Sequence, residues 1–340
     1  MPGFGRAIIY YPAVFSAAAA VRALWAAVAG VLVLPSGADA QGTFPNRPIR
    51  IVIPTAPGGG NDMVGRMLAQ TLSERYGVPA VAENRTGAGT VIGNDVVAKS
   101  KPDGYTLLVV PAALAITPTM YSKMPYDAAR DFAPITQIAK LPSLIVTHPS
   151  VPAKSVKEMV ALARSKPGEI FYASGGHGTQ THLTMELFAS MAKVRMVHVA
   201  YKGTTPGLID LLAGQVPIMA GNIPQMLPMV RARRLHALGV TTAQRAAAEP
   251  DIPTIAESGL PGFESVQWYG LFAPANTPRE IIDRLNKEAI AMLRVAQNRA
   301  RLAADGADIV ASSPEAFAAF YQEELSKWAK VVKGAGIKPE

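Results

Sequence analysis

The strongest constraint on folding is a unit found in two places: an apolar run, a glycine-rich turn, then a helical pattern. IRIVI at 49–53 reads as a buried strand ended by Pro54. PGGGND at 57–62 follows. Met63, Val64, Met67, Leu68, Leu72 and Tyr76 then recur at helical spacing, and Gly77 supplies a C-terminal stop. EIFYAS at 169–174 is a second strand, running into SGGHGTQ at 174–180 and a helix carrying Leu183, Leu187, Phe188 and Met191.

The same grammar fills the rest of the chain. YTLLVV (105–110), LPSLIVTHP (141–149), VRMVHVAY (194–201), VPIMAG (216–221), LHALGVT (235–241) and VQWYGLFAP (266–274) each read as or contain a strand. Ser155 with Glu158 forms a capping box for a helix through Ser165, stopped by Pro167-Gly168. Thr205-Pro206 opens a helix closed by Gly214. Thr277, Pro278 and Glu280 make another capping box, with the proline at the first helical position. Ser313-Pro314 opens the final helix, whose buried face includes Phe317, Phe320, Leu325 and Trp328. Strands alternating with helices imply an α/β fold with mostly parallel sheets. The 340 residues suffice for about two domains. No sharp boundary is legible, which points to intertwined domains crossed more than once. With 49% apolar residues the chain is not disordered. Its lack of cysteine excludes a disulfide framework, a thiolate metal site and a cysteine nucleophile.

The N-terminus reads as a cleavable targeting segment. Arg6 and Arg22 precede ALWAAVAGVLVLP at 23–35, and Ala38 with Ala40 forms a small-residue cleavage box before Gln41. The run is shorter than the ~20 residues of a membrane span. Residues 1–40 are therefore expected to be removed, leaving an exported, soluble chain. The formal charge of +8 is scattered, and its tightest cluster, Arg231, Arg233 and Arg234, sits at a helix end that suits cations. No aromatic-interleaved basic stripe points to nucleic acid.

Both glycine turns lie beyond the carboxyl end of a strand and before a helix, where open α/β sheets bind ligands. The first helical N–H groups are unsatisfied there, and the helix dipole adds positive charge. Two such turns suit a carboxylate or phosphate clamped from both sides. Rival motifs fail. Arg66-Met67 stands where a phosphate-binding loop needs Lys-Ser/Thr, and the spacing of Gly58, Gly60 and Gly65 is not the dinucleotide fingerprint. Ser174 beside His177 suggests a nucleophile and base, but Tyr172 replaces the first glycine of GxSxG. His177 and His182 are five apart, no HExxH occurs, and no His/Asp/Glu cluster is seen. His148 and His198 read as structural. Asp62 reads as a cap or loop brace.

Longer blocks follow the same order. They include FPNRPIRIVIPTAPGGGNDMVGRMLA, VAENRTGAGTVIGNDVVAKSKPDGYTLL, MPYDAARDFAPI, KPGEIFYASGGHGTQTHLTMELF, VHVAYKGTTPGLIDLLAGQV, DIPTIAESGLPGFESVQWYGLFAPANTP and AAFYQEELSKWAKVVKGAGIKPE. In these blocks, over about 44–338, the chain resembles the periplasmic solute-binding components of tripartite tricarboxylate transporters, the TctC or Bug family.

The resemblance implies a type II periplasmic-binding-protein fold, two α/β domains flanking a ligand cleft. The first domain would comprise 41–144 and a return at 266–340, the second 145–265. It implies a non-enzymatic, monomeric periplasmic receptor without cofactor or metal. Such a receptor takes a small organic carboxylate and delivers it to membrane-embedded transporter subunits. Carried over residue by residue, the ligand-binding set is Ala56, Gly59, Gly60, Asn61 and Asp62 from the first turn, and Ser174, Gly175, Gly178, Thr179 and Gln180 from the second. Tyr201, Lys202, Gly203 and Pro206 match a YKG…P block on the second wall, and Asn222 a ligand-facing position. Three positions depart from the family's habit. His177 replaces a small or amide residue, and Pro217 and Gly221 stand where Asp is frequent. The alternatives are an exported α/β hydrolase using Ser174 and His177, and a ligand-sensing partner of a membrane signalling protein.

Overall fold

A computed structural model describes residues 44–246, 249–337 and 339, together with 3, 5, 9 and 10. Apart from those four positions, the targeting segment read at 1–40 lies outside the described residues. Among them no helix is long and apolar enough to cross a membrane.

Two mixed sheets carry the fold. The first holds β1 (Ile49–Ile53), β2 (Ala80–Asn84), β3 (Thr106–Pro111), β4 (Phe132–Leu141), β10 (Gln267–Pro274) and β11 (Asp308–Ile309), in the order β11-β4-β10-β3-β1-β2. The second holds β5 (Ser143–Thr147), β6 (Phe171–Ser174), β7 (Val197–Ala200), β8 (Ile218–Asn222) and β9 (His236–Val240), in the order β7-β6-β8-β5-β9. The pairs β1–β2, β1–β3, β6–β7 and β6–β8 are parallel. However, β10 runs antiparallel to β3 and β4, β11 to β4, and β5 to β8 and β9. This corrects the expectation of mostly parallel sheets. β4 and β5 are joined by Pro142 alone, and β10 enters its sheet from a long return loop. Neither link is a crossover helix of the kind that imposes parallel pairing.

The helices are α1 (Gly60–Tyr76), α2 (Val91–Ala98), α3 (Ala113–Ile116), α4 (Val156–Ser165), α5 (Gln180–Ala192), α6 (Thr204–Leu212), α7 (Ile223–Arg231), α8 (Arg279–Arg294), α9 (Ala296–Ala304) and α10 (Pro314–Gly334). Gly77 ends α1 in the left-handed region at φ 68°, and its N–H bonds the Ser73 carbonyl. Ser155 Oγ accepts the Glu158 N–H at 3.2 Å, and the Glu158 carboxylate accepts the Lys154 N–H at 2.6 Å. Ser313 caps α10 through the Ala316 N–H.

Two starts differ from expectation. Pro278 is itself the N-cap of α8, and Thr277 Oγ1 donates instead to the Pro274 carbonyl at 2.7 Å, so no capping box forms there. The helix expected to open at Thr205 begins at Thr204, capped by Gly203.

The buried stripe of α10 runs through Phe317, Tyr321, Glu324, Trp328 and Val331, while Phe320 and Leu325 lie at its edge. The stripe packs Phe317 and Tyr321 onto Trp268 and Phe272 of β10. Gly270 makes that possible, because a Cβ there would collide with the Phe317 ring. Glu324, 1% exposed, accepts the indole N–H of both Trp268 and Trp328 at 3.0 Å. α10 also packs against α5, so one helix touches both halves of the molecule. The two chain crossings between the sheets lie side by side. Ser143 N–H donates to Thr241 Oγ1 at 3.1 Å, Thr241 N–H to the Ser143 carbonyl at 2.9 Å, and Ser265 N–H to the Thr241 carbonyl at 2.8 Å.

Candidate ligand site at the glycine turns

The first turn joins β1 to α1. Its N-cap, Gly59, has extended backbone (φ −84°, ψ 169°) and offers no side chain to the helix end. The first amides of α1 are therefore left for an external acceptor. Ala56, Gly58 and Gly59 are exposed, and no protein atom lies within 4 Å of a Cβ built on either glycine.

Asp62 turns inward to its own loop. Oδ2 accepts the Gly58 N–H and Arg66 Nε, both at 2.9 Å, and Oδ1 accepts Asn84 Nδ2 at 2.8 Å. Burial works to raise its pKa, but the bonds from Arg66, Gly58 and Asn84 together hold it below the ordinary value of 3.8. Asn61 Nδ2 donates to the Val109 carbonyl at 2.9 Å, while its buried Oδ1 has no protein partner. At Gly60 a Cβ would overlap Tyr269 Oη and Asp305 Oδ2, which are themselves hydrogen-bonded at 2.9 Å. Close packing of the protein explains that glycine.

The second turn, between β6 and α5, spends most of its polar groups on itself. Gly175 N–H donates to Thr181 Oγ1 at 3.0 Å, Gly178 N–H to His182 Nδ1 at 3.1 Å, and Thr179 Oγ1 to the Gly176 carbonyl at 2.7 Å. Ser174 is fully buried, and its hydroxyl takes the Gly176 N–H at 3.0 Å. Gln180 Nε2 donates to Ser265 Oγ at 2.9 Å, leaving its buried Oε1 without a partner. Tyr201 donates to Asp210 at 2.7 Å, a bond that pushes its pKa up to about 12. Gly203 and Asn222 are the N-caps of α6 and α7, neither with a side-chain cap, and Lys202, Pro206 and Asn222 are exposed.

Three histidines meet behind this turn, where the sequence showed no cluster. His182 and His198 stack at 3.9 Å between ring centroids, and His177 stands edge-on to both, at 5.6 and 4.8 Å. The reason is sheet register: parallel pairing sets His198 beside Tyr172, against the first turn of α5. Burial, with the neighbouring histidines, lowers His182 to about 3 and His198 to about 4. The Ser174 hydroxyl pairs with His198 Nε2 at 2.5 Å rather than with His177.

A cavity of ≈ 370 Å³ opens on the second turn. It is lined by His177, Gly178, Thr179 and Gln180 of the second turn, and from the first sheet and its connections by Gly89, Ala113, Ile116, Thr117, Met120 and Tyr121, with Gln267 of β10. Residues 56–62 are not part of its lining. The first-sheet wall escaped the sequence reading, although TGAGT at 86–90 is a third glycine turn that marks it. Four consecutive residues there have positive φ: Gly87 (132°), Ala88 (45°), Gly89 (58°) and Thr90 (89°). Such strain persists where surrounding bonds impose it. Here Thr117 Oγ1 donates to the Gly89 carbonyl at 2.8 Å and Asn94 Nδ2 to Thr90 Oγ1 at 3.0 Å. A larger groove of ≈ 960 Å³ lies elsewhere, lined by Lys140, Arg245, Glu264, Arg299 and Asp308 among others, and takes in none of the turn residues.

Comparison with known proteins places this arrangement in a family. Residues 64–337 match the family described as "Tripartite tricarboxylate transporter family receptor". Protein BugT of Bordetella pertussis is 36% identical over 94% of this chain and 97% of its own. Among solved structures, R. palustris Rpa4515 with adipate is 38% identical, covers 87% of this chain and 100% of its own, and superposes with a TM-score of 0.69. MatC from Rhodopseudomonas palustris with bound malate is 32% identical, covers 85% and 100%, and has a TM-score of 0.67. With two mixed α/β sheets, a helix start at the first glycine turn that no side chain caps, and a match over most of its length, the chain belongs to the tripartite tricarboxylate transporter receptor family.

Proposed function

We propose that this protein is an exported receptor that captures a small organic carboxylate between its two sheets and passes it to membrane-embedded transporter subunits, making and breaking no covalent bond. In this reading 41–144 with 266–340 form one lobe and 145–265 the other, and the ligand's acid end meets the glycine turns. The observation that carries it is the uncapped N-terminus of α1 at Gly59, facing open space. Charge-assisted bonds from such amides contribute ~1.5–3 kcal/mol each to an anion. Family membership and the adipate- and malate-bound relatives support the same reading. Closure of the lobes would exclude water, as in other hinged receptors.

A thermal-shift screen over carboxylic acids tests it. A ligand that binds only the folded state stabilises by about 2.7 kcal/mol at a hundred times its Kd, so at least one acid must raise the melting temperature. A panel with no shift sinks the reading.

A further inference from the structure

We infer that His177, His182 and His198 form a binding site for one divalent ion of the zinc class, behind the second glycine turn. The site does not depend on the carboxylate reading, and it departs from the metal-free receptor that the family resemblance implies.

Each of the three imidazoles places a ring nitrogen within 4.8 Å of the others, and among the described residues this is the one such group of histidine and acidic side chains. The lone pairs are suitably turned. Gly178 N–H donates to His182 Nδ1 at 3.1 Å, so that nitrogen carries no proton. The opposite nitrogen, Nε2, faces Glu186 Oε1 at 3.8 Å, and the Tyr172 hydroxyl donates to the same carboxylate. Metal-bound histidines commonly have a carboxylate behind their other nitrogen. His198 Nε2 meets the Ser174 hydroxyl at 2.5 Å. Gly178 and Ser174 both belong to the turn that carries His177, so the two ring nitrogens point toward it.

Little has to change for an ion to enter. The Ser174 hydroxyl already reaches the Gly176 carbonyl at 3.2 Å and can turn fully to it. Gly178 is partly exposed, and its N–H can pass to water. Nitrogens at ~2.0–2.1 Å from a tetrahedral ion sit about 3.3 Å apart, so the three must draw in by up to about 1.5 Å. His177 supplies most of that movement, because it is exposed and stands between Gly176 and Gly178, whose φ values are 125° and 69°. The stacked His182 and His198 rings splay by the remainder. Three imidazoles suit Zn²⁺, Ni²⁺ or Cu²⁺, whereas Mg²⁺ and Ca²⁺ want oxygen ligands. Three protein ligands also leave a fourth position for water. His177 lines the cavity beside the second turn as well, so the ion adds positive charge at that wall.

The test is calorimetry of Zn²⁺ into the untagged mature chain at neutral pH, with thermal melting beside it. One ion per chain is expected, with a Kd of about 10 µM or tighter. Zn²⁺ should raise the melting temperature, and Mg²⁺ should leave it unchanged. His177→Ala, at an exposed position, should keep the parent's circular dichroism spectrum and weaken Zn²⁺ binding about tenfold or more. His236→Ala, outside the trio, should bind as the parent does. No saturable Zn²⁺ binding at that level, equal affinity in His177→Ala, or an equal response to Mg²⁺ overturns the site. None of these outcomes touches the carboxylate reading, which the acid screen decides separately.

Discussion

Ser174 Oγ and His198 Nε2 lie 2.5 Å apart, joining the end of β6 to the strand beside it. The pair has the look of a nucleophile and its base, but the serine is fully buried and its hydroxyl is shared with the Gly176 backbone. Its work is to hold the second glycine turn in shape. The His182 ring, stacked on His198, takes the Gly178 N–H and secures the other end of the same turn.

The paired rings give the fold an acid sensitivity with a defined window. His182 (about 3) and His198 (about 4) both have folded pKa values below the ordinary 6.5. As pH falls from 6.5, the unfolded chain takes up protons that the folded one refuses, so stability present above 6.5 is lost toward pH 4. Glu186, which burial pushes up, works in the opposite direction. The melting temperature should therefore fall between pH 7 and pH 4.5, and less steeply in His198→Gln. Parallel slopes for parent and variant would remove the half-buried His198 imidazole from the explanation.

Gly59→Ser separates folding from binding. The position has negative φ and open space around a Cβ, so serine enters without strain. Its hydroxyl would cap the α1 amides that now await an acceptor, adding up to a few tenths of a kcal/mol. The melting temperature of the free protein is expected to hold or rise slightly, while carboxylate affinity drops about tenfold because the same amides are taken. Gly60 cannot serve for this test, since Tyr269 and Asp305 already fill the place of its side chain.

Asp62→Ala removes the acceptor shared by Gly58, Arg66 and Asn84. A loss of ~1–3 kcal/mol in urea unfolding is expected. The carboxyl's pKa is held below 3.8 in the folded state, so its contribution is present above 3.8 and disappears as pH falls through the folded value. Parent and variant stabilities should converge at acid pH.

Glu324→Ala leaves two buried indole N–H groups, of Trp268 and Trp328, without their acceptor. About 2–4 kcal/mol of stability should go, with a shift in tryptophan fluorescence. Glu324→Gln keeps an acceptor oxygen and loses only the ion pair with Lys327, so it should cost less. Equal losses would place the stabilisation in the charge rather than in the indole bonds.

Local patterns carried well from sequence to structure where every signal sat within one element. The units IRIVI–PGGGND–α1 and EIFYAS–SGGHGTQ–α5 were legible because apolar run, turn and stop are contiguous. β2 (AVAEN) was not, since it is an edge strand only partly buried, and β4 was masked by Thr136, Gln137 and Lys140 and by two register shifts against β10. The mixed direction of the first sheet depends on β10 inserting between β3 and β4 from far along the chain, which no local period records. In the site, Asp62 was legible as a brace, but the histidine trio and the Ala113–Tyr121 wall arise only from pairing across elements.

Pro142 is the sole residue between a strand of one sheet and a strand of the other, and both of its neighbours are locked into ladders, Leu141 against Gln267 and Ser143 against Asn222. The joint therefore has no slack. In the two-lobe receptor proposed above, the lobes would turn about this point as about a fixed pin, because gliding past one another would unzip a ladder.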